Sequence, residues 1–337
     1  MIILTNMTDP DLAEFDQIHP AVGRLREQIH RLVIGQDVAV EHLTAAMLVG
    51  GHVLLIGVPG LAKTMLVRAT AGALGWRFSR IQFTPDLMPS DVIGTDLIQE
   101  NAATGHRELR FAPGPVFTNL LLADEINRTP PRTQAALLEA MAERQVTAGG
   151  RTMMLDEPFV VVATQNPIEQ EGTYPLPEAQ LDRFMFSITM EYPPPEDERR
   201  IVSEVEPDGR AAMKVEPVLR ADEAVRMGRL IRRMPVSDHV RDYAVRLVRA
   251  SRPDDASATA LARRCVGWGA GPRAGQYLAL GARALAAMEG LPTPSCGHVR
   301  RIAPAVLDHR IVTNYTAAGE GVSAADVVRE LLEKVGE

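Results

Sequence analysis

An eight-residue glycine loop constrains the fold of this chain more than any other feature of its sequence. The loop reads G-V-P-G-L-A-K-T over residues 57–64 and follows the apolar run Val53–Ile56, with a helix-forming stretch after it. A buried strand, a glycine loop and a helix in this order present successive backbone N–H groups to an anion, and the helix N-terminus completes the cradle. The sequence therefore predicts a polyphosphate-binding site in an α/β domain.

Individual loop positions have expected parts in binding a nucleoside triphosphate and Mg²⁺. Gly57 and Gly60 let the backbone approach the phosphates. Lys63 is expected to reach the β- and γ-phosphates, and Thr64 to offer its hydroxyl to Mg²⁺. Ala62 stands where such loops commonly have glycine, and a positive φ there costs about 1 kcal/mol. The predicted nucleotide-binding residues are Gly57, Val58, Pro59, Gly60, Leu61, Ala62, Lys63 and Thr64.

Two further apolar runs are followed by polar side chains. Asp124 and Glu125 follow the run at residues 120–123, and Asn166 follows the run at residues 159–163. Open parallel sheets bind ligands at the carboxyl ends of their strands. Asp124 is therefore expected to hold Mg²⁺ through water, and Glu125 to orient and deprotonate the attacking water. Asn166 is expected to hold that water and to sense the γ-phosphate.

Two arginines complete the candidate site. Arg183 follows a short predicted helix, where it can pair with Asp182 or reach a phosphate held by a neighbouring subunit. Arg273 stands at the N-terminus of a helix predicted in the second half of the chain. Positive charge there opposes the helix dipole unless an anion is nearby, and a local conflict of this kind is expected at functional sites.

The chain of 337 residues is long enough for two domains. Strand and helix patterns alternate to about residue 191, which predicts a parallel sheet covered by helices. A Tyr-Pro-Pro-Pro run at 192–195 then marks a boundary, and only helical patterns follow. The predicted organisation is a loose arm at residues 1–20, an α/β core at 21–192 with hairpins near 95–112 and 145–156, and a linker with a helical domain at 193–337.

Composition narrows the class of protein. The formal net charge of −7 argues against broad nucleic-acid binding, which needs a basic surface. Cys265 and Cys296 lack the spacing of a metal or redox site, which favours buried thiols in the reducing cytoplasm. No apolar run approaches the roughly 20 residues of a membrane-spanning helix, and the first residues do not resemble a signal peptide.

In this order and spacing, the motifs G-V-P-G-L-A-K-T, L-L-A-D-E-I-N-R, A-T-Q-N-P, L-D-R-F and G-P-R-A resemble those of AAA+ ATPases, and more narrowly of the MoxR family. The likeness covers most of residues 20–315 and implies a P-loop core followed by a smaller all-α lid. The first hairpin resembles the helix-2 insert of this clade. The implied roles are Walker A at residues 57–64, Walker B at Asp124 and Glu125, sensor 1 at Asn166, the arginine finger at Arg183, sensor 2 at Arg273, and an adenine-side segment at Ile34 and Gly35.

The resemblance also implies a homo-oligomeric ring, typically hexameric, that hydrolyses ATP to remodel, mature or activate partner protein complexes. A partner with a von Willebrand factor A domain is expected, and nucleic acid is not. Three alternatives stay open: a nucleic-acid-acting AAA+ motor, a metal-chelatase-type motor subunit, and a weakly hydrolysing nucleotide switch. Whether Arg273 acts on its own subunit's nucleotide or on a neighbour's is also open at this point.

Overall fold

A computed structural model describes residues 9–100, 107–169, 171–203 and 215–337 of the chain. The strands are β1 (Val53–Ile56), β2 (Phe78–Gln82), β3 (Gly94–Glu100), β4 (Arg107–Pro113), β5 (Leu120–Asp124), β6 (Gln145–Ala148), β7 (Arg151–Met154), β8 (Val160–Gln165), β9 (Phe186–Thr189), β10 (Val266–Trp268) and β11 (Val312–Thr313). Five of them form the central sheet in the order β2-β5-β8-β1-β9, and all neighbours in it are parallel. The predicted parallel sheet is confirmed.

Helices cover both faces of this sheet. Leu120 and Leu122 of β5 belong to one buried apolar cluster, whereas Leu121 and Ala123 belong to another. Successive side chains of a strand point to opposite faces, so a strand buried on both sides is apolar throughout. This is why the runs at β1, β5 and β8 were recognisable in the sequence. The strand β9, which begins at Phe186, is buried at its first three residues.

The edge strand β2 was not predicted. It reads F-S-R-I-Q, and only Ile81 of its five residues is buried. It pairs with β5 over its whole length, from Phe78 beside Leu120 to Gln82 beside Asp124. An edge strand with polar positions gives no continuous apolar run, which is the signal that identified the central strands.

The helices are α1 (Asp9–Phe15), α2 (Ile18–His30), α3 (Asp37–Leu48), α4 (Lys63–Ala73), α5 (Pro89–Ile93), α6 (Pro131–Glu143), α7 (Glu178–Leu181), α8 (Pro195–Ser203), α9 (Ala221–Arg233), α10 (Asp238–Ala250), α11 (Ala260–Cys265), α12 (Pro272–Met288), α13 (Cys296–Leu307), α14 (Tyr315–Glu320) and α15 (Ala324–Lys334). The predicted loose arm at residues 1–20 is wrong over residues 9–20. Phe15 is 5% exposed and Ile18 is fully buried in the main core. Residues 1–8 lie outside the described part of the chain.

Two antiparallel hairpins leave the core, as predicted. In the first, β3 pairs with β4, and Ile98 lies opposite Leu109. Residues 101–106, between these two strands, lie outside the described part of the chain. In the second, β6 pairs with β7, and Gly149 and Gly150 take positive φ angles in the turn. A two-residue turn of this kind favours glycine, because both central residues adopt left-handed backbone angles.

After residue 195 the described chain is mainly helical, in agreement with the predicted lid. Helix α12 is central, since it packs on α13 and α10 and also reaches α3 of the core. Short helices α11 and α14 and the small β10–β11 pair were not predicted. Cys265 and Cys296 are both free and buried, as predicted. None of the described helices has both the length and the apolar character needed to cross a membrane.

Candidate active site

The glycine loop connects β1 to α4 and takes left-handed backbone angles at two positions. Gly60 has φ 88°, and Ala62, which directly precedes α4, has φ 59° and ψ 23°. A positive φ at Ala62 was considered from the sequence as a source of strain, and the structure shows that angle. The ammonium group of Lys63 donates a hydrogen bond to the carbonyl oxygen of Gly57. Burial lowers the pKa of Lys63, and the nearby carboxylates of Asp124 and Glu125 oppose this shift.

Replacing Ala62 with glycine is expected to have a modest effect. Glycine removes a left-handed strain of about 1 kcal/mol, but it also increases the entropy of the unfolded chain by about 0.4–1 kcal/mol. The two terms nearly cancel, so the free energy of unfolding should change by less than about 1 kcal/mol. Urea unfolding and an ATP titration of both proteins test this. An inactive parent protein that gained ATP hydrolysis through Ala62→Gly would contradict it.

Asp124 ends β5 and is almost buried, at 7% exposure. One carboxylate oxygen accepts a hydrogen bond of 2.5 Å from the Thr164 hydroxyl. The other lies 3.5 Å from the hydroxyl of Thr64 and 2.7 Å from the Arg80 guanidinium. A hydroxyl and a carboxylate oxygen thus converge beside the glycine loop. Oxygen donors of this kind fit Mg²⁺, which is usually held by one or two protein ligands and by substrate phosphates.

Glu125 follows the strand in a strained conformation, with φ 57°. Its N–H donates to the Thr164 hydroxyl at 2.8 Å. Its carboxylate accepts hydrogen bonds from Gln82 at 2.8 Å and from Arg128 at 3.1 Å. Left-handed angles at a non-glycine residue are sparsely populated, and they cluster at functional sites. The carboxylate is therefore held in a defined position at the edge of the sheet.

Asn166 follows β8, which lies between β5 and β1 in the sheet. Its side chain is 5% exposed, and its carbonyl oxygen accepts a hydrogen bond from the N–H of Ile168 at 3.3 Å. Among the described residues its amide nitrogen has no hydrogen-bond partner. A buried donor without a partner is uncommon in folded proteins. This one lies between the glycine loop and the acidic pair, where a water or phosphate oxygen would satisfy it.

The predicted adenine-side segment lies near the end of β9, beside β1. Ile34 is 6% exposed, and Gly35 has a positive φ of 67°. A β-carbon at Gly35 would lie 2.8 Å from a carboxylate oxygen of Asp197. The side chain of Gln36 donates to the carbonyl oxygen of Glu191 at 2.7 Å. The segment before α3 is thus tied to the linker that leaves the core.

Arg183 lies at the amino-terminal end of the central strands, whereas the glycine loop lies at their carboxyl-terminal end. It directly precedes the Phe184–Met185 entry into β9, where the N–H of Met185 binds the carbonyl oxygen of His52 at 2.7 Å. His52 precedes β1, and the glycine loop follows the end of that strand. The five residue steps of extended chain from His52 to Gly57, where the loop begins, rise about 16 Å. The Arg183 guanidinium itself donates to the carbonyl oxygen of Leu138 at 2.7 Å.

Asp182 brings Arg273 to the same end of the strands. Its carboxylate binds Arg273 at 2.8 Å and Arg310 at 2.9 Å. Asp182 therefore pairs with these two arginines of the helical part, and the pairing with Arg183 that the sequence allowed is replaced by them. It is also the anion that the placement of Arg273 at a helix N-terminus called for.

Arg310 was missed by the sequence reasoning. Its side chain is only 2% exposed. It donates to the carbonyl oxygens of Asp182 at 3.0 Å and of Phe184 at 2.5 Å, which flank Arg183 in the sequence. The guanidinium also lies 5.1 Å from the ring centroid of Tyr277. One buried cation thus holds the backbone on both sides of Arg183.

Replacing Arg310 with lysine is expected to lower the free energy of unfolding by about 2–3 kcal/mol. Lysine keeps the charge but cannot reproduce the planar fork, so charge-assisted hydrogen bonds are lost. Chemical unfolding measures the effect, with the exposed Arg329→Lys variant as the matched control. An unchanged midpoint for Arg310→Lys would show that these hydrogen bonds contribute little.

Comparison with known proteins decides the family. A family model described as the ATPase family associated with various cellular activities (AAA) matches residues 52–186, and one for the AAA lid domain matches residues 258–331. The chain is 42% identical over 308 residues to Chaperone MoxR1 of Mycobacterium tuberculosis, with 91% of this chain and 80% of that protein covered. The chain belongs to the MoxR family of AAA+ ATPases. The family resemblance drawn from the motifs is confirmed.

Two further proteins are similar to this chain over nearly its whole length. An uncharacterised protein of Bacillus subtilis, YeaC, is 42% identical over 325 residues, which cover 96% of this chain and 97% of that protein. The solved structure of a candidate ATPase from Cytophaga hutchinsonii superposes with a TM-score of 0.86 at 38% identity, over 96% of this chain and 97% of the other. The P-loop AAA+ core followed by a helical lid is therefore confirmed.

Four residues of this site were not identified from the sequence. Arg80 and Gln82 lie on β2, the unpredicted edge strand, and bind Asp124 and Glu125. The alternation of the buried Ile81 and Phe83 with polar neighbours was the signal that could have revealed that strand. Thr164 stands inside a recognised strand, but its contact with Asp124 crosses the sheet. Arg310 carried no local signal.

Proposed function

We propose that this chain hydrolyses ATP in a homo-oligomeric ring and uses the reaction to remodel, mature or activate partner protein complexes. One observation carries the proposal. The glycine loop, the acidic pair and Asn166 meet at the carboxyl-terminal ends of the strands, whereas Arg183 lies at their amino-terminal end. A site divided in this way is complete only when a second copy brings its Arg183 to the first copy's nucleotide.

The nucleotide would be held by the loop at residues 57–64, with adenine beside Ile34 and Gly35. The loop N–H groups and Lys63 would bind the phosphates, and Mg²⁺ would be held by Thr64 and, through water, by Asp124. Bound there, Mg²⁺ would neutralise charge on the phosphate oxygens. Arg80 donates to the Asp124 oxygen that also lies near the Thr64 hydroxyl, so its guanidinium borders the place where Mg²⁺ would be held.

Hydrolysis would proceed by in-line attack of water on the γ-phosphorus. Glu125 would accept a proton from that water, while Asn166 would orient it through its buried amide nitrogen, which has no hydrogen-bond partner among the described residues. A bond forms between the water oxygen and phosphorus, and the bond to the β,γ-bridging oxygen breaks. Lys63 and the neighbour's Arg183 would stabilise the charge that builds up on the phosphate oxygens.

The contact between Arg273 and Asp182 supports a role for Arg273 on the neighbour's nucleotide. Asp182 directly precedes Arg183, so Arg183 and Arg273 lie at the same end of the strands, far from their own subunit's loop. Both would therefore face the same neighbouring phosphates. The pair with Asp182 would hold Arg273 ready until that nucleotide arrives.

The ring and the partner proteins rest on family membership. AAA+ proteins of this clade form rings, typically hexamers, and the relative from Mycobacterium tuberculosis is named a chaperone. We infer a hexameric ring with axial hairpins built from β3–β4 and β6–β7. We also infer a partner that carries a von Willebrand factor A domain, which would couple the ring to its client.

A phosphate-release assay over a range of protein concentrations tests this proposal. Turnover per subunit should rise with concentration as rings form, because an isolated subunit has no neighbour to supply Arg183 to its nucleotide. The Lys63→Ala variant, which loses the phosphate contact, should show background rates at every concentration. Turnover independent of concentration would contradict the divided site. Stimulation by DNA with a steep salt dependence would favour the nucleic-acid motor instead.

A further inference from the structure

A second cavity lies away from the nucleotide loop, where α9 of the helical part meets the core. It has a volume of about 300 Å³ and lies among the end of α3, the start of β8 and α9. Gly228 allows the close approach of α9, since a β-carbon there would overlap the carbonyl oxygen of Leu48. The apolar part of the wall consists of Met47, Leu48, Val49, Phe159 and Ala224.

Three arginines converge on this cavity. Among the described residues that line it, Arg144, Arg229 and Arg232 face a single carboxylate, Glu157. Glu157 binds Arg144 at 2.8 Å and lies 3.5 Å from Arg229. Arg232 instead donates to the carbonyl oxygen of Val49. Three guanidinium groups against one carboxylate leave an excess of positive charge, and like charges held close together repel.

The guanidinium groups of Arg144 and Arg232 lie over the same stretch of backbone. A β-carbon at Gly50 would be 3.7 Å from a terminal nitrogen of Arg232 and 4.0 Å from one of Arg144. Burial lowers the pKa of Arg232, and the charge of Arg144 lowers it further. Both effects disfavour the charged form of Arg232. An anion between the guanidinium groups of Arg144 and Arg232 would offset both effects by favouring the charged form.

Trp76 supplies an independent sign of a ligand. This side chain lines the cavity and is 6% exposed, yet among the described residues its indole N–H has no hydrogen-bond partner. A buried tryptophan N–H usually finds an acceptor. Trp76 is thus an unsatisfied buried donor in the same cavity wall that the arginines line.

We propose that this cavity binds a small organic anion, a phosphate or carboxylate attached to an apolar body. The arginines would bind the oxygens through paired N–H donors, the apolar wall would cover the body, and the Trp76 N–H would gain its acceptor. The volume matches the lower end of small-molecule sites. Because α9 and the core both contribute, the ligand would join the helical part to the core.

Tryptophan fluorescence tests this site directly, because the chain contains two tryptophans and Trp268 is 73% exposed. In the full-length Trp268→Phe protein only Trp76 reports. Titration with phenyl phosphate and with benzoate should change its emission saturably, with a Kd below about 1 mM for at least one of them. Inorganic phosphate, which lacks the apolar body, should bind more weakly.

Variants in the same reporter separate this site from the nucleotide loop. Arg229→Gln and Arg232→Gln should each weaken binding at least tenfold, whereas Lys63→Ala and the exposed Arg329→Gln should leave it unchanged. Arg229 is 69% exposed, so its variant keeps the test valid should Arg232→Gln fail to fold. No saturable change, or equal binding by Arg229→Gln, would overturn the proposal. Loss of binding in Lys63→Ala would assign the signal to the nucleotide loop and overturn it as well.

Discussion

Replacing Arg183 with alanine should lower ATP turnover of the assembled protein by about 10³-fold or more, the value of a supplied arginine in related phosphoryl transfer. Nucleotide binding should change little, because Arg183 lies about 16 Å along β1 from its own subunit's loop. The expected signature is therefore a fall in kcat with a nearly unchanged KM. Phosphate release measured at concentrations where rings form gives both values.

Mixing two inactive variants tests whether Arg183 acts between subunits. Arg183→Ala keeps an intact loop, and Lys63→Ala keeps an intact arginine. In an equal mixture about one quarter of the interfaces would join a good loop to a good arginine, so about a quarter of the wild-type activity should return. If Lys63 and Arg183 of the same subunit acted on one nucleotide, each variant subunit would lack one of them, and mixing could not restore activity. Absence of recovery in mixed rings, or full activity of Arg183→Ala alone, would disprove the assignment.

The central part of the site could be predicted because burial and chemistry coincide there. Strands β1, β5 and β8 are buried on both faces, so each is a continuous apolar run, and its end is visible in the sequence. The parallel topology then brings the loop, Asp124 and Asn166 to one edge. Local sequence was sufficient to place these candidate residues together because each one ends or closely follows its strand.

Other features depend on contacts between distant parts of the chain. Arg310 lies 128 residues from Asp182, and nothing around it in the sequence indicates a buried cation. Gln82 and Arg80 needed the register of β2 against β5 before their contacts could be known. Helix α1 and the first turn of α2 were mistaken for a loose arm because their buried apolar residues, Phe15 and Ile18, are too few to show a period. Tertiary packing, rather than local pattern, orders that segment.

Replacing Glu125 with glutamine should stop hydrolysis while preserving ATP binding. The substitution keeps the shape of the side chain, so the hydrogen bond from Gln82 can remain, but the base that takes the proton from water is lost. General-base catalysis contributes about 10²- to 10⁴-fold, and turnover should fall by that amount. Mg²⁺–ATP should still raise the melting temperature, because the loop, Lys63 and Thr64 are intact.

The same variant provides a means to find the client. A ring that binds ATP without hydrolysing it should hold its protein partner, so affinity capture with Glu125→Gln in ATP should enrich proteins that are absent in ADP. The matched control is Glu139→Gln, the same substitution at an exposed position of α6, which should turn over and release. Turnover of Glu125→Gln within about threefold of the parent protein would mean that another group activates the water. Among the described residues, Glu125 alone combines left-handed backbone angles with hydrogen bonds from β2 and from Arg128, so that result would require a different assignment of the site at the carboxyl ends of the strands.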